Sequence, residues 1–177
     1  RGYPSYDCKS NDCTVKFTGP TVTDLFNDVA VFSSWDAISE TINDPEKKVI
    51  NCGRVYRSDG WRKLSLQNNM SFPIKHNILY RPDSYTKVAV MNYFSKYRPE
   101  FFFVGLGDPD EWAHEDDYEN YLNSLAAADH FIGYLAENAP EYTIIVTTDH
   151  GRSDDDWTSH GSESDSARVW LMIRGPK

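Results

Sequence analysis

"FFFVGLGDPDEWAH" (residues 101–114) opens as an almost unbroken apolar run and continues as an acidic segment that ends in a histidine. A second stretch, "YTIIVTTDHG" (residues 142–151), has the same order of an apolar run followed by an acid and a histidine. Nearly continuous apolar runs are typical of strands that are covered on both faces of a parallel sheet. The two stretches therefore predict neighbouring parallel strands in an α/β fold.

The segment between the two runs has the spacing of a long amphipathic helix. Apolar residues recur at helical intervals from Asp117 to Glu137, and a helix of that length can form the right-handed crossover that joins two parallel strands. Ligands of open parallel sheets bind beyond the carboxyl ends of the strands. We therefore expect the polar segments after both runs to lie at one edge of the sheet.

Shorter patterns complete a doubly wound, mostly parallel sheet with helices on both faces. Further strands are predicted at "VAVFSS" (residues 29–34) and "ARVWLMI" (residues 167–173), and helices at "TVTDLF" (residues 21–26), residues 35–42 and residues 84–96. Residues 51–82 have no clean period and are interpreted as a loop with room for one short helix. A chain of 177 residues, 40% hydrophobic and 14% aromatic, can build one core, so we expect a single domain over residues 1–177.

The charge balance narrows the classes of partner. The formal net charge is -9, from 27 acidic and 18 basic residues. That excess argues against a nucleic-acid-binding surface or an anionic membrane surface, and it is compatible with bound cations. No stretch approaches the roughly 18 consecutive apolar residues of a membrane span. We expect a small-molecule substrate, and the sequence does not predict the oligomeric state.

The three cysteines do not distinguish an oxidising from a reducing cellular compartment. Cys8 and Cys13 can close a short disulfide loop in an oxidising compartment and leave Cys52 free, or all three are ordinary thiols. The first residues lack the apolar core of a signal peptide, although a signal could have been removed. We expect a periplasmic or secreted protein, with a cytoplasmic location as the alternative.

Acids and histidines are concentrated at the predicted sheet edge. The side chains expected there are Asp108, Asp110, His114, Asp149, His150 and, from "TSHGS" before the last strand, His160. Without cations, so many close polar groups would suffer repulsion and desolvation. Mixed carboxylate and imidazole ligands suit zinc, manganese and related divalent ions. The sequence therefore predicts a metal site.

This ordered set of residues resembles a known family. Asp110 with His114 four residues on, the long helix, "TTDHG" and the later "HG" resemble the carboxyl-terminal part of the catalytic domain of the alkaline phosphatase superfamily. The phosphodiesterase/nucleotide pyrophosphatase-like and phosphomutase-like branches are the most similar, over roughly residues 100–173. The resemblance implies a metal-dependent hydrolase of phosphoric esters, either a phosphatase or a phosphodiesterase.

The resemblance also implies two divalent ions, zinc by preference and manganese as the alternative. In the family the two ions lie close together, and the matching positions assign Asp110, His114 and His160 to one ion. Asp149 and His150 would help to hold the other. One ion would activate the attacking hydroxyl and the other would stabilise the leaving oxygen.

The start of the chain departs from the family pattern. The family's second ion takes a further aspartate from the end of the first strand, and no residues precede Arg1 to supply it, so we expect the amino-terminal segment of the domain to be missing from this chain. "GYPSY" (residues 2–6) resembles the family's nucleophile segment, with Gly2 where the hydroxyl residue belongs. Ser5, three residues on, is the candidate nucleophile, and the alternative for Ser5 is a turn serine.

Gly2 keeps other functions open. The alternatives are a phosphomutase, phosphotransferase or sulfatase on the same scaffold, a catalytically silent metal-binding homologue, or an α/β binding domain whose acids and histidines are unrelated surface groups. A native Gly2 is compatible with binding without turnover or with direct activation of a water. An engineered Gly2 would mark a disabled nucleophile.

Several side chains beside the predicted ligands have two interpretations. Arg152 is a candidate contact for a substrate phosphate, because a guanidinium matches phosphate oxygens, and the alternative is an ion pair with residues 154–156, "DDD". Trp112 and Trp157 either stack on a substrate ring or pack against the protein. His130, within the long helix, is expected to be structural rather than a ligand.

Overall fold

The computed structural model describes residues 19–43, 48–53, 55–57, 80–161 and 164–176. The chain divides into two compact units, Arg1–Gly107 and Asp108–Lys177. The predictions for Gly2, Ser5, Cys8 and Cys13 fall outside the described residues. Within the described part of the chain, no helix has both the length and the apolar character needed to cross a membrane.

The first unit contains a four-stranded sheet with the order β3-β2-β1-β4. Its strands are β1 (Val29–Ser33), β2 (Val49–Cys52), β3 (Val55–Arg57) and β4 (Phe101–Gly105). Strands β2, β1 and β4 are parallel, with Ala30 opposite Val49 and Val29 opposite Phe101, and β3 is antiparallel to β2. The predicted α/β class and the mostly parallel sheet are confirmed.

Helical elements cover both faces of this sheet, as predicted. Because side chains alternate along a strand, β1 directs Val31 to one face and Phe32 to the other. Val31 belongs to a core cluster with Ile42, which ends the 3-10 helix Asp36–Thr41. The ring centroid of Phe32 lies 5.3 Å from that of Tyr93 in α1 (Asp83–Phe94). All five residues of β1 are buried between these layers.

Helix α1 lies where the sequence predicts a helix but buries a different face. Val90 and Phe94 are buried as expected, whereas Val88 is 49% exposed. Tyr93 and Thr86 are fully buried instead. Thr86 is drawn inward because its hydroxyl accepts a hydrogen bond of 2.9 Å from the Nε of the buried Arg81. Apolar spacing alone does not reveal such a polar contact.

A buried polar network fixes the carboxyl ends of the parallel strands. The Nη2 of Arg81 donates to the carbonyl oxygen of Asn51 at 2.8 Å. The Oδ1 of Asp83 accepts from the Ser34 hydroxyl after β1 at 2.5 Å and from the Gly107 N–H after β4 at 2.8 Å. Burial lowers the pKa of Arg81 to about 10. Since these groups are out of water, each depends on its partners in the network.

The prediction of a loop over residues 51–82 is wrong at its start, because β2 and β3 extend into it. Gly53 has a φ of 52°, a left-handed conformation that glycine adopts without a steric penalty, and it lies in the tight turn between the two strands. Polar residues within these short strands obscure the alternation of hydropathy by which a strand is predicted. Cys52 is a free, buried thiol whose pKa burial raises to about 12. Residues 58–79, including His76, lie outside the described residues.

The described residues of the second unit form two α-helices and a two-stranded sheet. Its elements are α2 (Asp108–His114), α3 (Tyr118–Asn138), β5 (Ile144–Thr147), a 3-10 helix (Asp165–Ala167) and β6 (Leu171–Arg174). The predicted long helix and both predicted strands are confirmed. Asp117 caps α3, because its Oδ1 accepts a hydrogen bond of 3.0 Å from the Asn120 N–H.

The predicted parallel pairing of β4 with β5 is wrong among the described strands. The hydrogen-bonded neighbour of β4 is β1, and β5 pairs with β6 in an antiparallel arrangement with Ile144 opposite Arg174. Residues of β5 alternate between half-buried and exposed instead of being buried on both faces. An apolar run predicts a strand but not its partner, because every strand offers the same backbone donors and acceptors.

Candidate metal centre

Helix α2 places Asp110 and His114 on one side of the helix. Residues four apart lie one above the other on a helix surface, so the carboxylate and the imidazole meet. The Asp110 Oδ2 lies 3.4 Å from the His114 Nε2. The helix ends at His114, and Asp116, two residues further on, adopts a φ of 57°. The spacing in the sequence thus gives the predicted pair directly.

His160 joins this pair from a loop 46 residues further along the chain. Its Nε2 lies 3.1 Å from the His114 Nε2 and 3.6 Å from the Asp110 Oδ1. One ligand atom from each of the three residues lies within 4.8 Å of the others, which is compatible with a shared ion. Two imidazoles and a carboxylate are a donor set that suits zinc and related divalent ions.

His150 lies against the same group. Its ring stacks on that of His160, with centroids 3.8 Å apart and an interplanar angle of 18°, and its Nε2 is 3.8 Å from the Asp110 Oδ1. The His150 Nδ1 is 2.9 Å from the Gly151 carbonyl oxygen. Because a carbonyl only accepts, this contact puts the proton of the neutral ring on Nδ1 and leaves the Nε2 lone pair for a ligand role.

Asp149 lies at the edge of the cluster. Its Oδ2 is 3.5 Å from the His150 Nε2, and its side chain is 87% exposed. Its Oδ1 accepts a hydrogen bond of 3.0 Å from the backbone N–H of His150. The carboxylate therefore approaches the centre through His150, which matches the predicted pairing of these two residues but does not test whether they hold an ion.

Arg152 contacts Asp110 and not the acidic run at residues 154–156. Its Nη2 donates to the Asp110 Oδ1 and, at 3.0 Å, to the Asp110 carbonyl oxygen. Its Nη1 donates to the Trp157 carbonyl oxygen at 3.3 Å. The predicted role as a phosphate contact stays a prediction. Hydrogen bonds from Thr158, and after them the charge of Arg152, lower the pKa of Asp156 in the acidic run, whereas the direct ion pair of Arg152 is with Asp110.

The loops that carry His150 and His160 are both held by Ser166, which the sequence reasoning missed. The Ser166 carbonyl oxygen accepts from the Gly151 N–H at 2.8 Å, and the Ser166 hydroxyl accepts from the Gly161 N–H at 3.0 Å. A side chain at Gly151 would place its Cβ 2.5 Å from the Asp165 carbonyl oxygen, so glycine is needed there. A serine before a strand carries no sequence signal for such a role.

The electrostatic environment favours the neutral form of His160. Burial and the neighbouring His150 lower the pKa of His160. A metal ligand must be deprotonated, so a lowered pKa suits a ligand role. Burial and the nearby Asp110 carboxylate raise the pKa of Glu111, which lies on the same helix.

The remaining candidates occupy the surroundings of the centre. Asp108 lies in the first turn of α2. Trp112 is 38% exposed, whereas Trp157 packs edge-on against Tyr118, with centroids 5.4 Å apart. His130 is exposed on α3 and is not among the ligand group found in the described residues. Packing therefore accounts for Trp157, and His130 is an exposed residue of α3 outside the clustered ligand group.

Comparison with known proteins supports a metalloenzyme. Residues 79–164 match the family model of the Metalloenzyme superfamily, which belongs to the alkaline phosphatase-like clan. The matched range contains Asp110, His114 and His160. The chain has no significant match among curated proteins or solved structures. The match supports a metal-dependent enzyme of this superfamily and indicates no finer family.

Proposed function

We propose that this protein is a metal-dependent hydrolase of phosphoric esters, either a phosphatase or a phosphodiesterase, that acts on a small-molecule substrate. The observation that carries the proposal is the group of Asp110, His114 and His160, whose ligand atoms lie within 4.8 Å of one another inside the range matched to the metalloenzyme model. Alkaline phosphatase-like folds with such ligands support phosphoryl chemistry by resemblance.

The proposed site holds two divalent ions, zinc by preference and manganese as the alternative. Asp110, His114 and His160 would hold one, and Asp149 with His150 would help to hold the other. Two imidazoles with one carboxylate favour zinc over the oxygen-preferring magnesium and calcium. When bound, such ions stabilise negative charge on phosphoryl oxygens and lower the pKa of an attacking hydroxyl or water.

Hydrogen bonds within the protein would orient the histidine ligands for the metal ions. The contact of the His150 Nδ1 with the Gly151 carbonyl oxygen fixes the ring with its Nε2 toward Asp110. The two hydrogen bonds of Ser166 hold the His150 and His160 loops at a fixed separation. We propose Ser5 as the nucleophile, with a water as the alternative because of Gly2.

Hydrolysis of p-nitrophenyl phosphate and bis(p-nitrophenyl) phosphate tests the proposal. The protein loaded with zinc or manganese is expected to cleave one of the two esters, and a chelator is expected to abolish cleavage. His160→Ala is expected to lose at least about 100-fold in rate, as expected for a lost metal ligand. His130→Ala, on the exposed side of α3, is the matched control and is expected to retain the wild-type rate.

Metal analysis of the same samples separates the alternatives. Two ions per chain with ester cleavage support the proposal. Tight metal binding without cleavage of any phosphate ester would contradict the hydrolase and favour a silent metal-binding homologue. Cleavage that survives His160→Ala but not His130→Ala would contradict the proposed ligands.

A further inference from the structure

We propose that Arg152 is a positioning residue that holds the Asp110 carboxylate in the orientation required for metal binding. This inference rests on the metal site of the proposed function, and it assigns Arg152 a role other than direct contact with a substrate phosphate. The inference rests on the burial of the Arg152 guanidinium, on its hydrogen bonds to Asp110 and Trp157, and on its contact with one oxygen of the Asp110 carboxylate.

Three N–H bonds of the guanidinium donate to protein acceptors. Both acceptors of the Arg152 Nη2 belong to Asp110, one being its carboxylate Oδ1 and the other its carbonyl oxygen at 3.0 Å. An Nη group carries two N–H bonds, so these contacts occupy both. The Nη1 reaches the Trp157 carbonyl oxygen at 3.3 Å. The Arg152 side chain is only 16% exposed, so it does not project into solvent as a free anion-binding group.

The two oxygens of the Asp110 carboxylate have different neighbours. Its Oδ1 is bound by Arg152 and lies 3.6 Å from the His160 Nε2 and 3.8 Å from the His150 Nε2, while its Oδ2 faces the His114 Nε2 at 3.4 Å. A carboxylate with one oxygen fixed by a charged donor has a defined torsion, so the second oxygen has one direction. Hydrogen-bond partners of metal-ligating groups orient those ligands and raise their affinity for the metal.

The same contacts link two ligand-bearing segments. Arg152 follows His150 by two positions, and its side chain binds the backbone carbonyl oxygen and the carboxylate of Asp110 on α2. The guanidinium also carries the positive charge that offsets the Asp110 carboxylate before a metal binds. A two-pronged contact to a phosphate would need an N–H of the Nη2, and both of these are bound to Asp110. The observed geometry therefore favours positioning.

The affinity of the protein for zinc tests the inference, measured by competition with a chelating dye. Arg152→Gln removes the charge but keeps an N–H₂ donor, and Arg152→Lys keeps the charge but loses the planar fork. Both variants are expected to bind zinc about 10- to 100-fold more weakly than the wild type, with the lysine variant closer to wild type. The metal-free melting temperature, measured in parallel, shows that each variant is folded.

Arg168→Gln is the matched control. It removes the same charge from the same unit, at a side chain that is 72% exposed and pairs with Asp154 and Asp165 instead of Asp110. We expect its zinc affinity to stay within about twofold of wild type, because exposed ion pairs contribute little.

Each outcome decides the inference. Unchanged or tighter zinc binding in both Arg152 variants would overturn it, and a raised KM with unchanged zinc affinity would assign Arg152 to the substrate instead. A wild-type protein that takes up neither zinc nor manganese would overturn this inference together with the metal site. Zinc binding that depends on Arg152 in a protein that cleaves no phosphate ester would support the inference while the proposed function fails.

Discussion

At the level of single residues, Ser166 decides how two separate loops meet. Its carbonyl oxygen and its hydroxyl receive the N–H groups of Gly151 and Gly161, the residues that directly follow His150 and His160. The stacking of these two imidazoles at 3.8 Å therefore depends on a residue with no metal-ligand role assigned to it. Removing the Ser166 hydroxyl leaves the backbone contact to Gly151 in place and removes the contact to the Gly161 loop.

We expect Ser166→Ala to weaken zinc binding about tenfold, as expected when a residue that orients a ligand is changed. The measurement is the same dye competition. Ser124→Ala is the control, because it removes a buried hydroxyl that bonds the Tyr121 carbonyl oxygen within α3 at 2.7 Å. Similar losses of stability in both variants, with zinc affinity unchanged in both, would show that Ser166 has only a structural role.

At the level of elements, Asp24 connects the 3-10 helix Val22–Leu25 to the start of β2. Its Oδ1 lies 2.8 Å from the Nζ of Lys48, and its Oδ2 accepts from the Thr21 N–H at 2.8 Å. The Lys48 side chain is only 6% exposed, so its charge needs this partner. The bonds from Lys48 and Thr21 hold the pKa of Asp24 well below its ordinary value.

We expect Asp24→Asn to lower the free energy of unfolding by about 1–2 kcal/mol at pH 7, because a buried cation loses its charged acceptor. A carboxylate with a lowered folded-state pKa stabilises the fold above its unfolded-state pKa, about 3.9, and this contribution is lost as the pH falls toward the folded-state value. Urea titrations at several pH values measure it. A difference between variant and wild type that grows below about pH 4 would contradict the assignment.

At the level of the whole molecule, all candidate ligands in the described residues lie in the unit Asp108–Lys177. Asp110 and His114 come from a helix, whereas His150 and His160 come from loops that precede β6. A bound ion would therefore connect segments that are distant in the chain. A ligand that binds only the native state raises its stability by RT ln(1 + L/Kd), which grows with the free ligand concentration L.

We expect zinc to raise the melting temperature of the protein, with a gain of about 2.7 kcal/mol when free zinc is 100-fold above its dissociation constant. His114→Ala is expected to remove the shift, because it deletes one of the three clustered ligands. Magnesium at the same concentration is expected to have little effect, since it prefers oxygen ligands. A melting temperature that does not respond to zinc would contradict a native metal site.

Local sequence patterns predicted much of this molecule. The four-residue spacing of Asp110 and His114 predicted that they share a helix side, and the period of residues 117–137 predicted α3. Hydropathy patterns failed in two places because of polar residues. The end of β2 falls in the segment predicted as a loop, and the predicted buried face of α1 is wrong, since Thr86 is buried and Val88 is exposed. The hydrogen bond between Thr86 and the buried Arg81 cannot be predicted from hydropathy.

The sequence by itself determined the elements and the chemical nature of the site, because helix period, strand hydropathy and ligand type are properties of neighbouring residues. Only the tertiary structure decided the pairing of β5 with β6, the approach of His160 to His114, and the contact of Arg152 with Asp110 across 42 positions. Backbone donors are alike on every strand, and an arginine can bind any nearby acid. The choice among such equivalent partners depends on the packing of the folded chain.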